Sequence, residues 1–360
     1  MIRIAAALVL LLACRASDGK TADPAEKPAQ AADPVEERVA KPAEPPVGKP
    51  AATADPGEER AAKAREALVG RPAPGGALDV LDGERVRLED LVGRKPVYLK
   101  FWATWCEPCR EQMPHLQAAY RKYGDRIAMF AVDLGVNDTV EAVREFRAAH
   151  AIAVPIAVDD GTLAERFHVA VTPQHILLDR AGVVRYVGHG ATAELDRALE
   201  SLLGDEPASS EPKLPAEPAG EAPLSLTLSD GTTFTLPARR PVALTFVLTW
   251  CDTYLVESRP GMDEVCVAHA RQVESLRRAD DGLVWVTIAH PVWTSAGDLD
   301  KYRKRLAVNT PIGIDERAAW FRRFRIRDTP TTILLDKRGA EIERVSGRGD
   351  DLPRALTRLR

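Results

Sequence analysis

The sequence predicts an α/β protein built from two copies of one domain, and three observations predict it. Short apolar runs that read as strands alternate with stretches of helical period. The whole alternation then occurs a second time, at a nearly constant offset. Finally, Pro/Ala/Glu-rich segments before the first copy and between the two copies have the composition of linkers. A chain of 360 residues has room for about two domains.

The elements follow in order. Residues 1–14 read as a signal segment. Arg3 precedes the apolar run Ile4 to Ala13, which has secretory length and falls short of the roughly 20 residues that span a bilayer. The run ends in Leu11-Leu12-Ala13-Cys14, which resembles a bacterial lipobox, and that resemblance makes Cys14 a lipidated first residue. Residues 15–70 carry Ala-Asp-Pro repeats at 22, 32 and 54 and no apolar period, so a disordered spacer is expected. In the first domain, 71–204, Ala77 to Val80 and Val86 to Leu88 flank the turn signal Asp82-Gly83. Val97 to Trp102 is a strand that runs into Cys106. A helix starts near Glu107 and breaks at Pro114. Ile127 to Leu134 is a strand, Val140 to Ala149 a helix, His175 to Leu178 and Val183 to Gly188 paired strands, and Ala191 to Leu203 an amphipathic helix. Residues 205–221 read as a linker and 222–360 as the second domain.

The repeat is explicit. Lys95-Pro96-Val97 through Trp105-Cys106 matches Arg240-Pro241-Val242 through Trp250-Cys251, so position 105 maps to 250, a shift of 145. Ile176 to Asp179 matches Ile333 to Asp336, and Pro173 maps to Pro330, a shift of 157. The second copy therefore carries twelve extra residues, placed by the alignment near Thr253 to Glu264.

Composition narrows the function. A net charge of −4, with no basic runs interleaved with aromatics, leaves a nucleic-acid partner without support. Five cysteines are too few for a disulfide scaffold, so each needs a local explanation. Cys106-Glu107-Pro108-Cys109 sits where a strand turns into a helix. There the helix N-terminus stabilises a thiolate at Cys106, and Cys109, one turn on, is within reach to resolve a mixed disulfide. Pro108 suits the first turn, where its missing N–H costs nothing. A zinc knuckle would need a second ligand pair that this domain lacks.

The run Phe101 to Arg110, containing Trp105-Cys106-Glu107-Pro108-Cys109, resembles the active-site segment of the thioredoxin superfamily, and its extension to Met113-Pro114 resembles the TlpA/ResA/CcmG-type branch. The resemblance covers about Arg71 to Gly204. It implies a central mixed sheet flanked by helices in each domain, Cys106 as attacking and Cys109 as buried resolving cysteine, and Trp105 beside them. It also implies a cis-proline at Pro173, preceded by Thr172, where substrate backbone docks. No cofactor is implied. The partners implied are protein disulfides and a membrane thiol reductant or oxidant, with cytochrome c maturation among the roles. Two departures stand out. Lys100 occupies the place of a buried aspartate in ordinary thioredoxins, and Gln112 that of a glutamate common in this branch. Ala103 stands where peroxiredoxins carry Thr or Ser, which disfavours peroxide reduction.

The second domain lacks the Cys-x-x-Cys. Cys251 keeps the nucleophile's place, Tyr254 the resolving place and Pro330 the cis-proline place, and the next cysteine is Cys266. Three readings stay open: a structural Cys251–Cys266 disulfide, a redox pair with a distant resolving cysteine, or a metal site adding His269 or His290. The function expected is disulfide reduction or exchange in the cell envelope. The alternative is a tethered metal (copper) handling or substrate-binding protein whose first domain keeps the second domain's thiols reduced. Arg15 after Cys14 favours the periplasmic side of an outer membrane over the extracytoplasmic face of the cytoplasmic one.

Overall fold

The computed structural model describes residues 55–204, 214, 224–280 and 282–359. The signal segment with Cys14, the spacer up to 54 and all of the 205–221 linker except Leu214 lie outside the described residues. In the first domain the order is α1 (Pro56–Leu68), β1 (Ala77–Leu78), β2 (Val86–Arg87), β3 (Val97–Trp102), α2 (Glu107–Glu111), α3 (Met113–Tyr123), β4 (Ala128–Asp133), α4 (Val140–Ala149), β5 (Ile156–Val158), α5 (Thr162–Arg166), β6 (Gln174–Leu178), β7 (Val184–Gly188) and α6 (Ala193–Ser201). The five main strands lie in the order β5-β4-β3-β6-β7. Strands β3, β4 and β5 are parallel, and β6 and β7 run antiparallel to their neighbours, which makes the sheet mixed. Central β3 is buried at all six positions, as expected for a strand covered on both faces. Placing Lys100 there is costly, and the site accounts for it below.

The second domain repeats this plan: β8 (Ser225–Thr227), β9 (Thr233–Thr235), β10 (Val242–Val247), α7 (Leu255–Ser258), α8 (Met262–Ala279), β11 (Val284–Ala289), α9 (Ala296–Leu306), β12 (Ile312–Ile314), α10 (Ala319–Arg323), β13 (Thr331–Leu335), β14 (Glu341–Ser346) and α11 (Leu352–Leu356). Its sheet order, β12-β11-β10-β13-β14, is the same as the first. The twelve-residue insertion becomes α7 and the start of the 18-residue α8.

One expectation is corrected. The spacer assigned to 15–70 does not run to its end, because Pro56–Leu68 is a helix. Asp55 caps it by accepting from the Gly57 N–H at 2.9 Å, Pro56 fills its first turn, and Glu58 and Glu59 complement its dipole. It docks on β7 through Ala61, Ala64 and Leu68 and through an Arg65 Nε bond to the Val187 carbonyl at 2.8 Å. A stripe of alanines closed by one leucine is too faint a period to read in an alanine-rich segment. Leu214, inside the expected linker, is likewise buried in the first domain's core.

Both sheets belong to one compact unit. The core of the first domain continues without a break into Leu248, Trp250, Cys251, Leu255, Cys266 and Val292 of the second. That continuity decides how the site must be read.

Candidate active site

Strand β3 delivers the chain to Ala103-Thr104-Trp105, and Cys106 caps α2. Its sulfur accepts the Cys109 N–H at 3.2 Å and is bonded to the Cys109 sulfur, with Cα atoms 5.2 Å apart. Pro108 lies in the first turn of α2, and the helix breaks at Gln112 before Pro114 opens α3. The turn is fixed from outside: Trp105 Nε1 donates to the Val136 carbonyl at 2.8 Å, and Thr104 bonds to Asp138 through both its N–H and its hydroxyl. The Thr172-Pro173 peptide is cis, and the Pro173 carbonyl accepts from His189 Nδ1 at 2.7 Å.

Lys100 lies beneath the pair. It is fully buried, and its Nζ donates to the Cys109 carbonyl at 3.2 Å. Burial pulls its pKa down to about 7, so near neutrality it both holds and releases a proton beside Cys109. His175 bridges the Tyr98 hydroxyl (2.8 Å) and Gln112 Oε1 (2.9 Å), and burial keeps it neutral by pushing its pKa well below the usual imidazole value. The glutamate place is thus taken by an amide tied to a buried neutral histidine. At the end of β4, burial pushes Asp133 well above the usual carboxylate range, helped by the charge of Asp138, and burial also raises Asp138.

The second domain's counterparts face this site. Trp250 Nε1 donates to the Val292 carbonyl at 3.0 Å, as Trp105 does to Val136. The Thr329-Pro330 peptide is cis. Cys251 and Cys266 are bonded to each other, with Cα atoms 6.2 Å apart. His269 does not join them: its Nδ1 takes the Gly347 carbonyl at 2.6 Å and its Nε2 the Thr332 hydroxyl at 2.8 Å. Burial lowers its pKa to about 4. His290 Nδ1 accepts the Val292 N–H at 3.2 Å. The candidate metal ligands are therefore engaged separately. Tyr254, in the resolving place, reaches across the interface, where its hydroxyl accepts the Glu107 N–H at 2.8 Å.

Between the two Trp-Cys turns lies an aromatic cluster. Trp105 stands 4.8 Å from Trp250 and 5.9 Å from Trp293, and Tyr254 packs edge-on against Trp293 at 4.6 Å. A polar rim surrounds it. Arg259 bonds Asp138 at 2.6 Å, the Asn137 carbonyl at 2.9 Å and the Thr104 hydroxyl at 3.1 Å, and Arg327 bonds the Asp159 carbonyl at 2.6 Å. As a result Cys106 is 0% exposed and Trp105 1%.

A family model described as the AhpC/TSA family matches residues 69–187. The thioredoxin-like protein YneN of Bacillus subtilis is 34% identical over 131 residues, which span 36% of this chain and 76% of that protein. The thiol-disulfide oxidoreductase ResA of Bacillus cereus is 32% identical over 134 residues, with the same shares of 36% and 76%. The chain belongs to the thioredoxin-like thiol–disulfide oxidoreductases. Among solved structures, a thiol:disulfide interchange protein of Chlorobium tepidum TLS is 25% identical and covers 37% of this chain and 96% of that one, at a TM-score of 0.33.

In this oxidoreductase the structure brings together Trp105, Cys106, Pro108, Cys109, Thr172 and Pro173, and turns Cys251, Tyr254 and Pro330 toward them across the interface. The Glu107 side chain faces solvent. Sequence reasoning missed Asn137, Asp138, Arg259 and Trp293, which lie in loops with no spacing to betray them. The duplication was the one available signal: Asn137 and Trp293 each follow, by one position, the residue that accepts the tryptophan N–H.

Proposed function

We propose that Cys106 is the attacking thiolate and Cys109 the resolving thiol of a lipid-anchored envelope protein that reduces or exchanges disulfides in other proteins. The observation that carries the assignment is the position of the Cys106 sulfur, which caps α2 and accepts the Cys109 N–H. That donor and the partial positive charge of the helix end both favour the thiolate over the thiol. Cys106 attacks a substrate disulfide to give a mixed disulfide, and Cys109 then attacks Cys106 and releases the reduced substrate. Lys100, titrating near 7 beside Cys109, supports removal of the resolving thiol's proton. A membrane thiol partner returns the pair to its dithiol form, and delivery of thiols for cytochrome c maturation is one role such a reductant fills. The lipobox-like Cys14 supports tethering on the periplasmic face of a bacterial membrane.

With Cys106 sealed, an external protein reaches it only after the domains part. Dithiothreitol-driven insulin reduction by the full chain tests the assignment. Cys106→Ser lowers turnover at least a hundredfold, and turnover left intact by that substitution overturns it.

A further inference from the structure

Resting on the assignment of Cys106 and Cys109 above, we propose that Cys251–Cys266 is a second redox-active disulfide, and that the first domain's dithiol reduces it directly across the domain interface. The chain thereby carries its own electron acceptor.

The docking is reciprocal in a way that a loop-pinning disulfide does not require. The Trp293 N–H donates to the Ala170 carbonyl at 2.9 Å and its Nε1 to the Thr172 carbonyl at 3.2 Å, beside the cis-Pro173 loop. At the corresponding positions of the other domain, the Asn137 N–H donates to the Arg327 carbonyl at 2.6 Å. The Asn137 side chain also takes the Thr329 N–H at 2.7 Å, beside cis-Pro330. Asn137 and Trp293 both hold the left-handed conformation, with φ of 53° and 55°. Neither is glycine, and a tryptophan held there needs its surroundings to keep it. Each domain thus lies against the loop beside the other's first cysteine, as the halves of a twofold dimer do.

Accessibility points the same way. Cys106, Cys109, Cys251 and Cys266 belong to one continuous apolar cluster and are 0%, 0%, 2% and 4% exposed. In this arrangement the disulfide presented to the first pair is that of the second domain. Tyr254, where a resolving cysteine would stand, is spent on the Cys-x-x-Cys turn. Cys266 on α8 has taken over the partner role for Cys251.

The exchange balances. The Cys106 thiolate bonds to the Cys251 sulfur and expels the Cys266 thiolate. The Cys109 thiolate then bonds to the Cys106 sulfur and expels the Cys251 thiolate. Two electrons move from the first pair to the second, and the protons given up by Cys106 and Cys109 end on Cys251 and Cys266. An external dithiol, the ordinary reductant of such an oxidoreductase, reduces the first pair again.

Two measurements on the full chain test this. The Cys109→Ala/Cys266→Ala double variant leaves only Cys106 and Cys251 at the interface. After mild oxidation, alkylation and peptide mass mapping, most molecules should carry an intramolecular Cys106–Cys251 link; two separately alkylated cysteines overturn the proposal. In the otherwise native protein, reduction of Cys251–Cys266 by a limiting external dithiol should slow at least tenfold in Cys106→Ala, and an unchanged rate overturns it as well. Insulin reduction by the native chain separates the two readings. If insulin is reduced but no link and no slowing are found, only this inference fails; if insulin is not reduced, the assignment beneath it fails.

Discussion

Replacing Lys100 with methionine should stabilise the folded protein at neutral pH. Lys100 is an ammonium-bearing side chain on a strand buried at every position, and burial alone, with no carboxylate among the described residues offsetting it, shifts its pKa. The unfolded chain keeps its proton up to 10.5, whereas the folded chain gives it up near 7. Between those values the unfolded state binds more protons, so stability rises with pH across that window, and below about pH 7 the burial penalty is fully present. A gap of 3.5 units (10.5 less 7) at about 1.36 kcal/mol per unit is roughly 5 kcal/mol at full extent, of which about 3 kcal/mol falls between pH 7 and 9.5. Methionine, of similar length, removes that penalty and forfeits the bond to the Cys109 carbonyl, about 1.5–3 kcal/mol. The net gain at pH 7 is then about 2 kcal/mol. Urea unfolding of the oxidised native and Lys100→Met proteins at pH 7 and 9.5 measures it. The variant should have the higher midpoint at pH 7 and should lose most of the rise toward pH 9.5. A variant less stable at pH 7, or one that keeps the native slope, refutes the reasoning.

Other consequences are equally direct. Arg259→Ala leaves the buried Asp138 carboxylate without its cross-domain partner and should cost about 2–3 kcal/mol, read as a lower urea midpoint. Trp293→Ala removes the indole bond to the Thr172 carbonyl beside Pro173 and the centre of the aromatic cluster. Maleimide labelling of Cys106 in the reduced chain should then quicken at least tenfold. Cys14→Ser should abolish palmitate labelling and move the protein from the membrane fraction to the soluble one.

Much of the fold was legible because its strands and helices carry their own signals. The run Val97 to Trp102 is strand β3 as read, and the helix over Val140 to Ala149 starts where Thr139 caps it by accepting the Ala142 N–H. The repeat then carried those assignments into the second copy, where β10 takes the place of β3. The cysteine pair and the cis-prolines Pro173 and Pro330 were legible too, since motif and offset depend on neighbours in sequence, whereas the cis Leu236-Pro237 peptide carried no such signal. What escaped depends on tertiary context. The apolar stripe that helix α1 buries is made of alanines and one leucine. The interface is made by single residues from separate loops, Asn137, Arg259 and Trp293, each unremarkable alone. Of the three readings of Cys251 and Cys266, spacing could not select one; the structure bonds the two sulfurs to each other and engages His269 elsewhere.

Exchange through Cys106 and Cys109 requires that the bond between them open and close under physiological reductants. Equilibrating the full chain in graded thiol–disulfide buffers and counting alkylated Cys106 and Cys109 by mass spectrometry measures this directly. A reversible two-electron midpoint between about −120 and −270 mV, the span of thioredoxin-type catalysts, is the expected result. A pair still closed below about −300 mV, as structural disulfides are, contradicts it.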